Sequence, residues 1–124
     1  MTDTQAQEFA ARWIHAFNAK DVDGVLSHFA EDAEFTSARA LAFTGKATLH
    51  SRRELGDYWR GAVESIGSIR FTLDYVINNE ASRRLAIVYL SEIDGRKTRA
   101  AEFFEFNDSL QVVRCEGMNG AAVA

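Results

Sequence analysis

Leu85-Ala86-Ile87-Val88-Tyr89-Leu90-Ser91-Glu92-Ile93-Asp94-Gly95-Arg96-Lys97-Thr98-Arg99-Ala100-Ala101-Glu102-Phe103-Phe104-Glu105-Phe106 is the stretch whose reading decides the fold. Two β-rich runs flank Asp94-Gly95, a pair suited to a tight type I′ turn, which needs φ > 0 at both central positions. The stretch therefore reads as a hairpin with strands over 84–93 and 97–106. Upstream, Ile69, Phe71, Leu73, Tyr75 and Ile77 alternate with Arg70, Thr72, Asp74, Val76 and Asn78, the period of a strand. Asn78-Asn79-Glu80 turns this strand into the hairpin. Downstream, Asn107-Asp108-Ser109 leads into a last strand over 110–119, with 120–124 as a frayed tail. The second half is thus an antiparallel meander.

Residues 85–90 are apolar at every position, whereas a strand covered on one face only should alternate. The second face therefore needs a cover. A second copy of the same sheet supplies one, which predicts a homodimer through the sheet; the alternative is a sheet curled tightly enough to shield its own back.

The first half reads as helices. Ala6, Phe9, Ala10, Trp13, Ile14 and Phe17 follow the spacing of one buried face, with Thr4 and Gln7 as a capping box. The run 18–21 breaks this helix. Asp21 caps a second, carrying Val22, Val25, Leu26 and Phe29. Ser51-Arg52-Arg53-Glu54 matches S-x-x-E before a third helix faced by Leu55, Tyr58, Trp59, Ala62 and Ile66. Between the second and third, 34–37 reads as a short strand, 40–44 as an extended piece and Gly45 as a turn. Helices followed by a meander give an α+β fold, three N-terminal helices packed on a curved, mainly antiparallel sheet.

Composition narrows the function. The 124 residues are expected to form a single domain over 1–124. With 14 basic against 18 acidic residues, net charge −4 and no basic cluster, nucleic acid is not the expected partner. The longest apolar run, 85–90, is far short of the ~18 residues of a membrane span, and 1–4 show no secretory signal. One cysteine, Cys115, leaves no internal disulfide. These features fit a small cytoplasmic protein. His28, Glu31 and Asp32 lack three-ligand spacing, so no metal or other cofactor is expected; His28 near a helix C-terminus suits the helix dipole. On its apolar face Cys115 reads as a buried inert thiol.

One residue conflicts with its surroundings. In 100–106, Ala100, Glu102, Phe104 and Phe106 share the more apolar face, and Val113, Cys115 and Gly117 form a small face on the next strand. Glu102 then sits among aromatic rings, where burial raises a carboxyl pKa and where functional groups cluster. The alternatives are a structural glutamate paired with Arg99 or Arg114, or a register displaced by one residue.

Three motifs carry a resemblance: Arg12-Trp13-Ile14-His15-Ala16-Phe17-Asn18-Ala19-Lys20-Asp21, Phe29-Ala30-Glu31-Asp32-Ala33-Glu34-Phe35 and Glu102-Phe103-Phe104-Glu105-Phe106-Asn107-Asp108. In this order and spacing the chain resembles the nuclear transport factor 2-like superfamily, in its SnoaL-like and ketosteroid-isomerase-like branch. The resemblance implies a cone-shaped α+β barrel around an apolar pocket, with dimerisation through the sheet in many members. It implies a small apolar ligand and, in the catalytic members, isomerase, cyclase or hydratase chemistry. Ketosteroid isomerases pair an aspartate base with a tyrosine and a protonated aspartate. Those positions fall on Ser37, Trp13 and Glu102. Serine cannot take a proton from carbon without a partner base, and an indole only donates, so Glu102 alone is the expected catalytic acid/base. Trp13, Phe17, Ser37, Tyr58, Trp59, Tyr89, Phe104 and Asn119 are the expected substrate contacts, with Phe35, Phe71 and Tyr75 as further wall candidates. The alternative is a non-catalytic ligand-binding or oligomerisation module of the same fold.

Overall fold

The helical stripe 6–17 forms α1 (Asp3–Asn18), with Ala6, Phe9, Ala10, Trp13, Ile14 and Phe17 all buried. The computed structural model describes residues 1–123. The capping box of α1 lies two residues before the expected one. The Thr2 hydroxyl accepts from Gln5 N (3.1 Å) and Gln5 Oε1 accepts from Thr2 N (2.8 Å). Thr2-x-x-Gln5 has the same spacing as Thr4-x-x-Gln7 and also sets Asp3 in the first turn, where a negative charge suits the helix dipole. Lys20, at φ 55°, ends the helix, and Asp21 N donates back to Ala16 O. Asp21 then caps α2 (Val22–Leu26) by accepting from Gly24 N at 2.9 Å. Phe29, placed on this helix by its spacing, instead opens β1 (Phe29–Ser37) and is fully buried there.

The stretch 38–50 departs most from expectation. Residues 38–44 form α3 (Ala38–Thr44) and not an extended piece. The Ser37 hydroxyl caps it by accepting from Ala40 N (3.0 Å), and Gly45, at φ 81°, closes it in the left-handed conformation. Leu41 and Phe43 are exposed on α3, so its sequence carries no buried stripe to read. A short β2 (Thr48–His50) follows, then α4 (Arg52–Glu64), capped by Ser51. The Glu54 carboxylate completes this cap by accepting from His50 N and not from Ser51 N.

The meander is β3 (Ile69–Asn79), β4 (Arg84–Ile93), β5 (Arg96–Phe106) and β6 (Val112–Ala122). Asp94 (φ 51°) and Gly95 (φ 82°) make the β4–β5 turn with both residues at positive φ. One open sheet of six strands runs β2-β1-β6-β5-β4-β3, antiparallel except for β1 beside β6. The last strand outruns its expected end: β6 reaches Ala122, and Val123 N donates to Lys97 O. Of the expected frayed tail, Ala124 lies outside the described residues. The helices pack on the inner face of the sheet, giving the α+β cone.

Two bulges change which side chains face in. Between β3 and β4 the register skips Asp74, so Leu73 pairs with Tyr89 but Tyr75 pairs with Val88. Phe71, Leu73 and Val76 pack against the core, while Tyr75 and Ile77 turn outward. Between β5 and β6 the skip falls at Val113, so Val112, and not Val113, is buried opposite Phe106. In 85–90, Leu85, Ile87 and Tyr89 are buried inward, and Ala86, Val88 and Leu90 are half-buried on the other side. The sheet does not shield its own back: Ile77 (60% exposed), Tyr75 (48%), Met118 (50%) and Phe103 (42%) remain open there.

Candidate functional site

Glu102 lies on the inner face of β5, between Ile87 of β4 and Gly117 of β6. It is buried, as face-counting expects, and its arginine alternatives are engaged elsewhere. Arg99 pairs with Asp74 at 2.7 Å, and Arg114 with Glu34 and Glu105 at 3.7 Å. What the carboxylate receives is a neutral donor: Cys115 Sγ–H donates to Glu102 Oε2 at 3.0 Å. The Tyr89 phenol is also close enough to favour the charged form. Burial outweighs both donors, with Glu116 adding like-charge repulsion, and the carboxyl is pushed up from 4.5 to about 7. Burial and the charge of Glu102 hold the Cys115 thiol and the Tyr89 phenol well above their ordinary values, so both keep their protons.

Gly117 makes room for this group. A Cβ there would stand 2.5 Å from Glu102 Oε1, closer than atoms tolerate. Cys115 is the buried, protonated thiol expected, and its S–H is given to the carboxyl as a donor.

The carboxyl lines a cavity of about 90 Å³ between the sheet and α1, α3 and α4. Of the expected contacts, Trp13, Phe17, Ser37, Tyr58, Trp59, Tyr89 and Asn119 line it with Glu102. Phe104 does not. It is buried two positions along β5, edge-on to Phe9 of α1 (5.0 Å) and stacked near Phe106. Phe35 and Phe71 do line the cavity, whereas Tyr75 is turned away by the Asp74 bulge. Trp13 sits in an aromatic cluster with Phe17 (5.0 Å), Tyr89 (5.3 Å) and Phe71 (5.7 Å). Its Nε1–H is the one buried side-chain polar atom among the described residues without a partner, a deficit of about 1–3 kcal/mol. Tyr58 packs on Phe35, and burial raises its phenol pKa against the opposing pull of Ser37.

Ser91, Arg39 and Gly117 also line the cavity, and sequence reading missed all three as site residues. Gly117 was legible in principle: the β5–β6 register sets a residue without a side chain opposite the buried acid. Arg39 and Ser91 left no such signal. His28 is half-buried against the Phe9 ring, and burial and then the Arg12 charge lower its pKa, which weakens the positive charge that would suit the helix dipole. Among the described residues, no three His, Cys, Asp or Glu side chains cluster as a metal site. No helix among the described residues is long and apolar enough to cross a membrane.

Comparison with known proteins agrees with the fold. A SnoaL-like protein of unknown function from Burkholderia thailandensis is 30% identical, with 97% of this chain and 98% of that one covered and a TM-score of 0.87. An NTF-2 like protein of unknown function from Burkholderia xenovorans is 15% identical over 98% and 88% of the two chains, with a TM-score of 0.78. SalBIII, an epoxide hydrolase/cyclase-like enzyme in pyran ring formation in the polyether salinomycin, is 19% identical over 97% and 95%, with a TM-score of 0.75. These last two show a shared fold. No functionally curated protein matches the sequence. Residues 10–114 match the family profile described as SnoaL-like domain, and the chain belongs to that family.

Proposed function

We propose that this chain, as one domain, binds a small, largely apolar, carbonyl-bearing molecule in the cone, and that Glu102 transfers a proton on it without a cofactor. The observation that carries this reading is a cavity-lining carboxyl with no cationic partner, held near neutrality by burial. A group with a pKa near the working pH serves as both base and acid. As carboxylate, Glu102 accepts a proton from a carbon beside the carbonyl. As the acid so formed, it returns that proton to another atom of the same molecule, so the protein ends as it began. The product is an isomer, a closed ring or, where water adds, a hydrate. The Trp13 Nε1–H, without a protein acceptor, is a donor for the carbonyl oxygen. Tyr58 and Asn119 supply further polar contacts from the wall. The test is a screen of small cyclic ketones and enones against the protein and Glu102→Gln. Turnover should vanish in the folded variant, and turnover that survives would sink the role of Glu102.

The volume favours a second reading, a filled cone in a module that serves oligomerisation and not ligand binding. About 90 Å³ is well below the ~300–1,000 Å³ of common small-molecule pockets. Under this reading none of the screened ketones and enones binds, and the chain functions only in assembly.

The outward apolar strip formed by Tyr75, Ile77, Phe103 and Met118 fits a homodimer through the sheet. The free, buried Cys115 accords with the cytoplasm.

A further inference from the structure

Glu102 is the one acid and Arg39 the one permanent cation among the described residues lining the cavity. Arg39 is exposed, in the first turn of α3, which Ser37 caps and Gly45 closes. No ion pair of the described residues includes it, although seven other arginines are paired. Arg53, Arg70 and Arg96 also lack an ion-pair partner, but none of them lines this cavity. Resting on the cavity reading above, we propose that the ligand carries a carboxylate or similarly compact anionic group, and that Arg39 is the residue that selects it.

The arrangement supports this in three ways. A guanidinium presents a planar fork that matches a carboxylate with two parallel hydrogen bonds. Ser37, Tyr58 and Asn119 line the same cavity and add neutral hydrogen-bonding groups around such an anion. The two charges also address the same pair of phenols. Arg39 and Glu102 act on the Tyr58 and Tyr89 phenols in opposite senses, Arg39 lowering and Glu102 raising their pKa. An anionic group is repelled from the ionised Glu102 end and attracted to Arg39. The ligand is thereby oriented with its apolar body across the phenols and its reacting atoms toward Glu102.

The test uses a matched pair of probes, benzoate and benzamide, alike in shape and different in charge. Each is titrated at pH 6 into the intact protein and into Arg39→Gln and Arg39→Lys. Binding is read from the indole N–H resonances of Trp13 and Trp59, the two tryptophans of the chain, both of which line the cavity. Benzoate should bind about tenfold more tightly than benzamide, a difference near 1.4 kcal/mol. Arg39→Gln should abolish that preference, so that the two probes bind alike, and Arg39→Lys should restore part of it. Equal binding of the two probes to the intact protein, or a preference that survives in Arg39→Gln, overturns the selection by Arg39 and leaves the cavity standing. Failure of both probes to bind overturns the cavity reading itself, and this proposal falls with it.

Discussion

Replacing Glu102 by Gln removes a titrating group while keeping its size, its shape and an oxygen to accept from Cys115. The stability difference between the two proteins should therefore depend on pH in a calculable way. In the unfolded chain the carboxyl titrates near 4.5, and in the fold near 7. Below 4.5 both states hold the proton and Glu102 costs nothing electrostatic. Between 4.5 and 7 the unfolded chain releases the proton while the fold retains it. Each pH unit then costs the fold about 1.36 kcal/mol. Above 7 both states are ionised and a full deficit of about 3 kcal/mol remains. The wild type should thus lose about 2–3 kcal/mol relative to Glu102→Gln between pH 5 and pH 8. Against a typical total of about 5–15 kcal/mol this is readily measured. The assay is urea unfolding followed by tryptophan fluorescence at four pH values and one protein concentration, which keeps any subunit equilibrium comparable. Parallel stability profiles for the two proteins would refute the reasoning, because they would mean that Glu102 ionises in the fold as readily as in water.

Further predictions concern the surroundings of this group. Gly117→Ala sets a methyl against Glu102 Oε1 and should cost about 1–3 kcal/mol by overpacking; in the Glu102→Ala background most of that cost should vanish, as a double-mutant cycle by chemical denaturation would show. Cys115→Val removes the donor that favours the charged carboxylate, so the Glu102 midpoint should rise above 7, whereas Cys115→Ser should hold it near 7; carboxyl NMR titration of each variant decides this. Ile77→Asp sets a charge in the outward apolar strip and should convert a dimer to a monomer in light scattering while leaving the far-UV spectrum unchanged; an unchanged mass would end the sheet-to-sheet reading.

Much of this architecture is legible in local pattern, because its causes are local. The period of 69–77, the positive φ at Asp94-Gly95 and the caps at Asp21 and Ser51 each depend on residues within a few positions of one another. The inward face of 100–106, and with it the burial of Glu102, follows from alternation along one unbroken strand. Legibility stops where an extra residue enters the ladder. Neither Asp74 nor Val113 differs in type from an ordinary strand residue, yet each reverses the facing of its neighbours along the strand, so that simple alternation sets Tyr75 in the wall and Val113 in the core. It stops also where the cause is distant. The parallel pairing of β1 with β6 joins residues about eighty apart, such as Phe35 with Cys115, and has no local signature. Arg39 reaches the cavity only because α3, a short helix with exposed Leu41 and Phe43, folds between β1 and β2. For Phe104 the face is right and the depth is not, since alternation says which side a residue takes and nothing about whether cavity or helix lies above it.

The most direct measurement is the titration of the Glu102 side-chain carboxyl by carbon-13 NMR, assigned by its loss in Glu102→Gln. The account predicts a single midpoint near 7, with the fold intact through the transition. A midpoint near the ordinary 4.5 would mean that water or a cation reaches the carboxylate, and the chain would have no acid/base group suited to proton transfer in its cone.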